Sequence, residues 1–325
     1  MRIALAFCFA AFPFVASAQC EGQDVRANLS PENRAEITAS AAAERYGEGN
    51  FWQATRGDRS ITLIGTVHLG DPRLDGIAEA FRDEISAADQ VFLEMTSVEQ
   101  EQLKTALASD PAMILLSDHS LIDLLPQETW AVLKAGAEAR GLPGPMAARM
   151  QPWYLSMILA LPPCALAGGP PEGLDAMVEE IAREADVPAF PLEPYDTLFR
   201  IFAEEPLDTQ IDFLTASVQD TGTSEDMLAT TLNLYFEEAP AELWHLSRVM
   251  ARTQTTMPAE ELDVLFAELE EALLFERNRA WLPLLEDAEG DRIVAAFGAA
   301  HLFGDDGVLH LLEQAGYVLT RLKPE

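Results

Sequence analysis

The sequence predicts a mixed α/β fold, with a central mixed β-sheet built from both chain ends, flanking helices and a large helical insertion. Two observations support this fold. Near both ends, short apolar and β-branched runs alternate with turns and helical stretches. The middle, about residues 97–286, has mainly helical spacing broken by Pro and Gly. We therefore expect one α/β domain over residues 19–325, and not two sequential domains.

The elements follow from these runs in chain order. Apolar and β-branched segments predict strands at residues 51–56, 60–65, 90–94, 188–193, 292–297 and 317–322. Helical spacing predicts a helix that carries Ile77, Phe81 and Ile85 on one face, and helices at residues 173–185 and 308–314, among others. The strand at 188–193 is the one sheet-forming piece expected inside the helical insertion.

The first 18 residues have the features of a secretory signal peptide. Arg2 precedes an apolar run, and small residues lead up to Ala18. That run is shorter than the roughly 20 residues that span a bilayer. We expect cleavage after Ala18, export to the periplasm, and a mature chain without a stable membrane anchor.

Cysteine content and charge restrict the location and the partners. Cleavage would remove Cys8 and leave Cys20 and Cys164, which predict a disulfide in an oxidising compartment. Two buried thiols are the alternative. The formal net charge of −33 argues against nucleic acid and anionic membrane surfaces as partners, because binding them depends on Lys and Arg. The sequence leaves open the oligomeric state and which peptide or small molecule is the substrate.

Two strand exits share one pattern, at residues 65–69 and 298–302. Each has Gly, two small or apolar residues, His and Leu, with Gly and Asp just downstream. We expect the glycine to permit a sharp turn that a Cβ would obstruct. His68 and His301 then stand where strands leave the sheet, the usual location of sites in α/β proteins. One such histidine would be explained by structural hydrogen bonding, but two matching copies favour a functional pair.

Carboxylates follow two further apolar strands, at Glu94 and Glu193. Glu94 is the stronger candidate, because three apolar residues precede it directly. Two histidines and one carboxylate form a common metal-ligand set that leaves positions open for water. His68, His301 and Glu94 could together supply such a set.

The sequence resembles the TraB/GumN family, whose relatives include the Tiki metalloproteases. The segments that carry the resemblance are residues 63–74 (LIGTVHLGDPRL), 92–95, 151–153, 173–176, 192–193, 277–278 and 298–307 (GAAHLFGDDG). The resemblance implies a mixed sheet with flanking helices, like that of the haem-binding lipoprotein ChaN and the erythromycin esterases. It also implies metal-dependent protease chemistry at His68, His301 and Glu94, with these residues as ligands of a divalent cation such as Zn²⁺, Mn²⁺ or Co²⁺. Arg277 matches a family element, and could bind a carboxylate or an oxyanion or pair with Glu193.

The leading expectation is a periplasmic metal-dependent hydrolase acting on a peptide bond. In this expectation the cation activates water, and Arg277 stabilises the negative charge that develops in the reaction. The first alternative is a metal-free esterase-type hydrolase, in which a histidine oriented by a glutamate acts as general base. The second is a protein that binds haem or a peptide without turnover.

Overall fold

The fold is mixed α/β, as the sequence predicts. The computed structural model describes residues 20–166, 172–216, 221–254 and 258–324, so the predicted signal peptide lies outside the described residues. The strands form one six-stranded sheet. They are β1 (Phe51–Arg56), β2 (Arg59–Thr66), β3 (Gln90–Leu93), β4 (Ala189–Pro191), β5 (Arg292–Gly298) and β6 (Val318–Arg321).

The order of the strands brings four carboxyl ends to one edge of the sheet. The order is β4-β3-β5-β2-β1-β6. The neighbouring strands β4, β3, β5 and β2 run parallel, whereas β1 is antiparallel to both β2 and β6. Leu93 pairs with both Pro191 and Ala296, and Thr66 pairs with Gly298. The four parallel strands therefore end nearly in line.

Most of the remaining chain is helical. In chain order the helices are α1 (Pro31–Ala43), α2 (Leu74–Ala80), α3 (Arg82–Ser86), α4 (Ser97–Ser109), α5 (Leu121–Leu124), α6 (Gln127–Ala139), α7 (Gly144–Ala147), α8 (Pro152–Ala160), α9 (Pro163–Leu166), α10 (Leu174–Glu184), α11 (Thr197–Ala203), α12 (Leu207–Ala216), α13 (Thr221–Phe236), α14 (Pro240–Gln254), α15 (Ala259–Glu270), α16 (Glu276–Asp287) and α17 (Val308–Gln314). A π-helical turn, Glu271–Phe275, joins α15 to α16. The helix predicted to carry Ile77, Phe81 and Ile85 is divided into α2 and α3 at Phe81. The ring centroids of Phe81 and Phe51 lie 5.2 Å apart.

The main core surrounds the parallel strands. β2 and β5 are buried along almost their whole length, which shows that both faces of the sheet are covered. The buried residues of α10 recur at Leu174, Val178 and Ile181, the spacing of one helix face. They join one apolar cluster with the strands and with Trp281 of α16 and Leu309 of α17.

The helices outside this core have apolar clusters of their own. One cluster joins Leu121, Leu133 and Leu155 from the segment after β3. Another joins Ile37 of α1 to Leu246 of α14. Across the described ranges, no helix is both long enough and apolar enough to cross a membrane.

The N-terminal segment, residues 20–43, is fastened to the helical part. A disulfide joins Cys20 to Cys164 in α9, which confirms the predicted bridge. The backbone N–H of Val25 donates to the Thr230 hydroxyl of α13 at 2.9 Å. Farther along, α1 packs against α14. This segment therefore holds α13 and α14 against the rest of the molecule.

Arg26 should make this attachment sensitive to acid. Its guanidinium lies 2.6 Å from both Asp24 and Glu237, and these hydrogen bonds lower the pKa of each carboxyl. A lowered folded-state pKa stabilises the protein above the unfolded pKa of about 4, and the effect disappears as pH falls. We expect Arg26→Gln to reduce the free energy of unfolding by about 0.5–1 kcal/mol at pH 7. The difference from wild type should shrink below about pH 4.

Urea unfolding at pH 7, 5 and 3 checks this expectation. Lys104→Gln is the control, because Lys104 pairs with Glu101 on the exposed surface of α4. A difference between Arg26→Gln and wild type that stays constant from pH 7 to pH 3 would contradict it.

Candidate active site

Five side chains form one cluster at the carboxyl edge of the sheet. His68 follows β2, Glu94 follows β3, Glu193 follows β4 and His301 follows β5, each within three residues of its strand end. Arg277 enters from the first turn of α16. These five residues, all singled out from the sequence, are called the site cluster below. They meet because adjacent parallel strands deliver their next residues to the same edge.

Glu94 lies at the centre of the site cluster. Its Oε1 atom is 3.8 Å from Nε2 of His68 and 3.9 Å from Nε2 of His301. The same oxygen accepts the backbone N–H of Gly298 at 2.6 Å. Burial opposes the negative charge, but the two rings, Arg277 and the Gly298 N–H outweigh it and lower the pKa of Glu94 to about 2. Glu94 is therefore ionised at neutral pH.

Arg277 uses all five of its N–H donors inside the protein. Nε and Nη2 donate to the two oxygens of Glu193 at 2.8 and 2.9 Å, and Nη2 also donates to Glu94 at 2.5 Å. Nη1 donates to the backbone carbonyl of Leu273 at 2.7 Å and to Nε2 of His301 at 3.1 Å. A guanidinium has five N–H groups, so this arrangement leaves none for a substrate oxyanion.

Glu193 is the buried counter-charge of Arg277. Its side chain is almost fully enclosed, and burial raises its pKa although Arg277 acts in the opposite direction. Of the roles open to Arg277 from the sequence, the structure shows the pairing with carboxylates. Glu193 accepts two hydrogen bonds from it in a side-by-side geometry, which fixes the plane of the guanidinium.

His301 is buried, with both ring nitrogens engaged. Nδ1 lies 2.6 Å from Oδ1 of Asn278, whose Nδ2 donates to the backbone carbonyls of His301 and Asp306. Because the amide group is oriented in this way, Nδ1 carries the proton and Nε2 accepts from Arg277. Burial, with Arg277 nearby, lowers the pKa of His301 to about 3 despite the charge of Glu94. The ring is therefore neutral at physiological pH.

His68 has the opposite surroundings. Its Nδ1 lies 3.0 Å from a carboxylate oxygen of Asp175 in the first turn of α10, and 59% of its side chain is exposed in a cavity. Burial within the cavity disfavours the charge, but Asp175 and Glu94 together raise the pKa of His68 to about 9. The two similar turns therefore hold one charged and one neutral imidazole.

The glycines of the two turns are needed for close approach, which differs from the sequence expectation. Gly298 has a φ of −50°, and Gly65 is not among the residues with positive φ. A Cβ on Gly65 would lie 2.7 Å from a methyl of Leu302 and 2.8 Å from the carbonyl oxygen of Asn50. A Cβ on Gly298 would lie 3.3 Å from Oε1 of Glu94. Neighbouring backbone and side-chain atoms, and not turn conformation, exclude larger residues here.

Sequence reasoning missed the two residues that orient the imidazoles, Asp175 and Asn278. Both lie inside segments that carried the family resemblance, Asp175 two residues after Gly173 and Asn278 beside Arg277. That adjacency was the available signal. Their roles depend on how α10 and α16 pack against the sheet, which a linear pattern does not show.

The chain matches the TraB/PrgY/gumN family over residues 50–321. It belongs to that family. Its relatives include proteins named "Uncharacterized protein YbaP" from Escherichia coli (strain K12) and from Shigella flexneri. Each is 21% identical over 257 residues, which cover 79% of this chain and 89% of the relative. The family assignment confirms the resemblance drawn from the two Gly-x-x-His segments.

The donor types in this family member suit a divalent cation. Two imidazole Nε2 atoms lie near one carboxylate oxygen, and each Nδ1 is engaged by an oxygen, as is common for metal-bound histidines. The donors are not drawn together, however. Within the described ranges, no group of three or more His, Cys, Asp or Glu side chains is arranged to hold a metal ion. Nε2 of His301 accepts from Arg277 instead, so an ion bound there would have to displace that hydrogen bond.

Gly173 allows α10 to approach the His68 turn, and this can be tested. Its neighbour Leu174 donates its N–H to the carbonyl of Val67 at 3.1 Å. A Cβ on Gly173 would lie 2.2 Å from that carbonyl oxygen and 2.8 Å from Oδ1 of Asp175. We expect Gly173→Ala to destabilise the protein by about 1–3 kcal/mol, because the helix must move away.

Gly76→Ala is the matched control for urea unfolding. Gly76 lies within α2, and its added Cβ would meet nothing within 4 Å. The substitution should therefore stabilise the protein by about 0.5–1 kcal/mol. Equal stabilities for Gly173→Ala and wild type would show that the close approach is not required.

Proposed function

We propose that this member of the TraB/PrgY/gumN family is a periplasmic hydrolase that cleaves peptide bonds with a divalent cation held by His68, His301 and Glu94. One observation carries the proposal: a single oxygen of Glu94 lies within 3.9 Å of both imidazole Nε2 atoms. Oxygen partners engage both Nδ1 atoms, which leaves the Nε2 atom of each ring for the cation. The disulfide Cys20–Cys164 supports the exported location.

The residues of the site cluster have separate roles in the proposed hydrolysis. When bound, the cation would lower the pKa of a water molecule toward ~7 and polarise the scissile carbonyl. Glu94 is ionised, so its carboxylate can bind the cation. His68, whose pKa is raised to about 9, would have to release a proton from Nε2 to bind the same ion.

Arg277 and Glu193 act on Glu94 and not on the substrate. Arg277 donates to Oε2 of Glu94, which leaves Oε1 facing the imidazoles. Glu193 in turn holds the guanidinium by two hydrogen bonds. This chain of contacts orients the carboxylate before substrate arrives, so little reorganisation remains for the reaction.

Metal content and activity of histidine variants test this function. We expect the purified mature protein, loaded with Zn²⁺, Mn²⁺ or Co²⁺, to bind about one ion and to cleave members of an internally quenched peptide library. His68→Ala and His301→Ala should lose both the ion and at least about 10²-fold in kcat/KM, because each removes one ligand. His119→Ala, in an exposed loop, is the matched control and should keep both.

If both site variants retain full metal content, the ligand assignment is wrong. Circular dichroism of each variant separates loss of the ion from loss of the fold.

A second candidate is a metal-free hydrolase, which the contacts of Arg277 and Asp175 specifically favour. The Arg277 guanidinium occupies Nε2 of His301 and one oxygen of Glu94, as a structural cation would. Asp175 holds Nδ1 of His68, so that Nε2 of the same ring can exchange a proton with water or the leaving group.

Chelation and the Asp175→Asn variant distinguish the two candidates. A metal-free enzyme should keep its activity after exhaustive chelation. Asp175→Asn should then lower kcat by about 10²-fold or more, because the carboxylate partner of His68 is lost. Glu179→Gln is the control on the same helix, since Glu179 bonds Ser97 and not the cluster. Activity that disappears on chelation and returns with added metal would exclude this candidate.

A further inference from the structure

A cavity of about 450 Å³ opens beside the site cluster. Leu69, Leu198, Leu243 and Trp244 supply apolar walls, and they come from the His68 turn, α11 and α14. Sites for small ligands have this size and this largely apolar lining, with a few placed polar groups.

The ionisable side chains that line the cavity all belong to the site cluster. Among its described lining residues, these are His68, Glu94, Arg277 and His301. The lining residues from α14 are apolar except for Ser247, whose hydroxyl donates to the backbone within that helix. A ligand group that extends away from the cluster therefore meets an uncharged surface.

We infer that this cavity is a substrate subsite that takes one uncharged apolar side chain, of leucine or phenylalanine size, next to the bond that is cleaved. The inference rests on the proposed function, because the site cluster at one end is where cleavage would occur.

The same surroundings exclude charged side chains. A lysine or aspartate side chain in the cavity would lose its hydration. Outside the site cluster, the described lining residues offer it no opposite charge. Acidic peptides are further disfavoured by the net charge of −33. Selectivity for apolar residues therefore follows from the lining itself.

Filling the cavity tests the subsite. The probes are the N-acetyl amides of leucine, phenylalanine, lysine and aspartate, titrated into the chelated mature protein and followed by saturation-transfer NMR. We expect the leucine and phenylalanine amides to bind more tightly than the charged ones. Ser247→Phe should weaken their binding by about tenfold or more.

Thr253→Phe is the matched control for Ser247→Phe. Thr253 lies on the same helix, its hydroxyl also donates to a helical carbonyl, and it is exposed outside the cavity. Binding by this control should stay within about twofold of wild type. A twofold change in affinity is small beside the effect of burying one apolar side chain. Equal loss of binding in both variants would overturn the inference.

The outcomes separate this inference from the proposed function. Selective binding of apolar amides without cleavage of any library peptide would refute the hydrolase and leave the subsite standing. Peptide cleavage with no preference for apolar residues, and no effect of Ser247→Phe, would refute the subsite and leave the hydrolase standing.

Discussion

The guanidinium of Arg277 hydrogen-bonds three other members of the site cluster, and the geometry of the carboxyl edge depends on it. It joins Glu94 after β3, Glu193 after β4 and His301 after β5 to the π-helical turn before α16. A buried charge of this kind is tolerated only when its partners are all present, and removing one partner typically destabilises a protein by about 3–5 kcal/mol. The strand ends, the helix and the two glutamates therefore form one interdependent unit.

Within this unit, neighbouring atoms give two similar turns different properties. His68 and His301 occupy matching positions after parallel strands, yet a carboxylate holds the first and an amide holds the second. The exposed ring is charged and the buried ring is neutral. Two histidines with opposite charge states can serve different steps of one reaction, which two identical environments would not allow.

The sequence predicted the sheet and the residues at its edge, because both follow from local pattern. Each strand lies within two residues of its predicted range, and parallel strands must bring His68, Glu94, Glu193 and His301 to one edge. Arg277 came from the family resemblance alone. The side chains that orient the rings or line the cavity, such as Asn278 and Trp244, lie on helices. Their positions depend on tertiary packing, and helical periodicity does not reveal which neighbour each helix face meets.

The position of β5 in the sheet has a consequence for the order in which the molecule can be made. β5 lies between β3 and β2, although about 200 residues separate it from either in the chain. In a growing polypeptide, β2 and β3 therefore lack their shared neighbour until synthesis reaches the last tenth of the chain. Such long-range pairing is slow, since loop closure must precede the contacts that reward it. An incomplete chain lacks both the centre of the sheet and His301, so the cluster cannot assemble before synthesis is nearly finished.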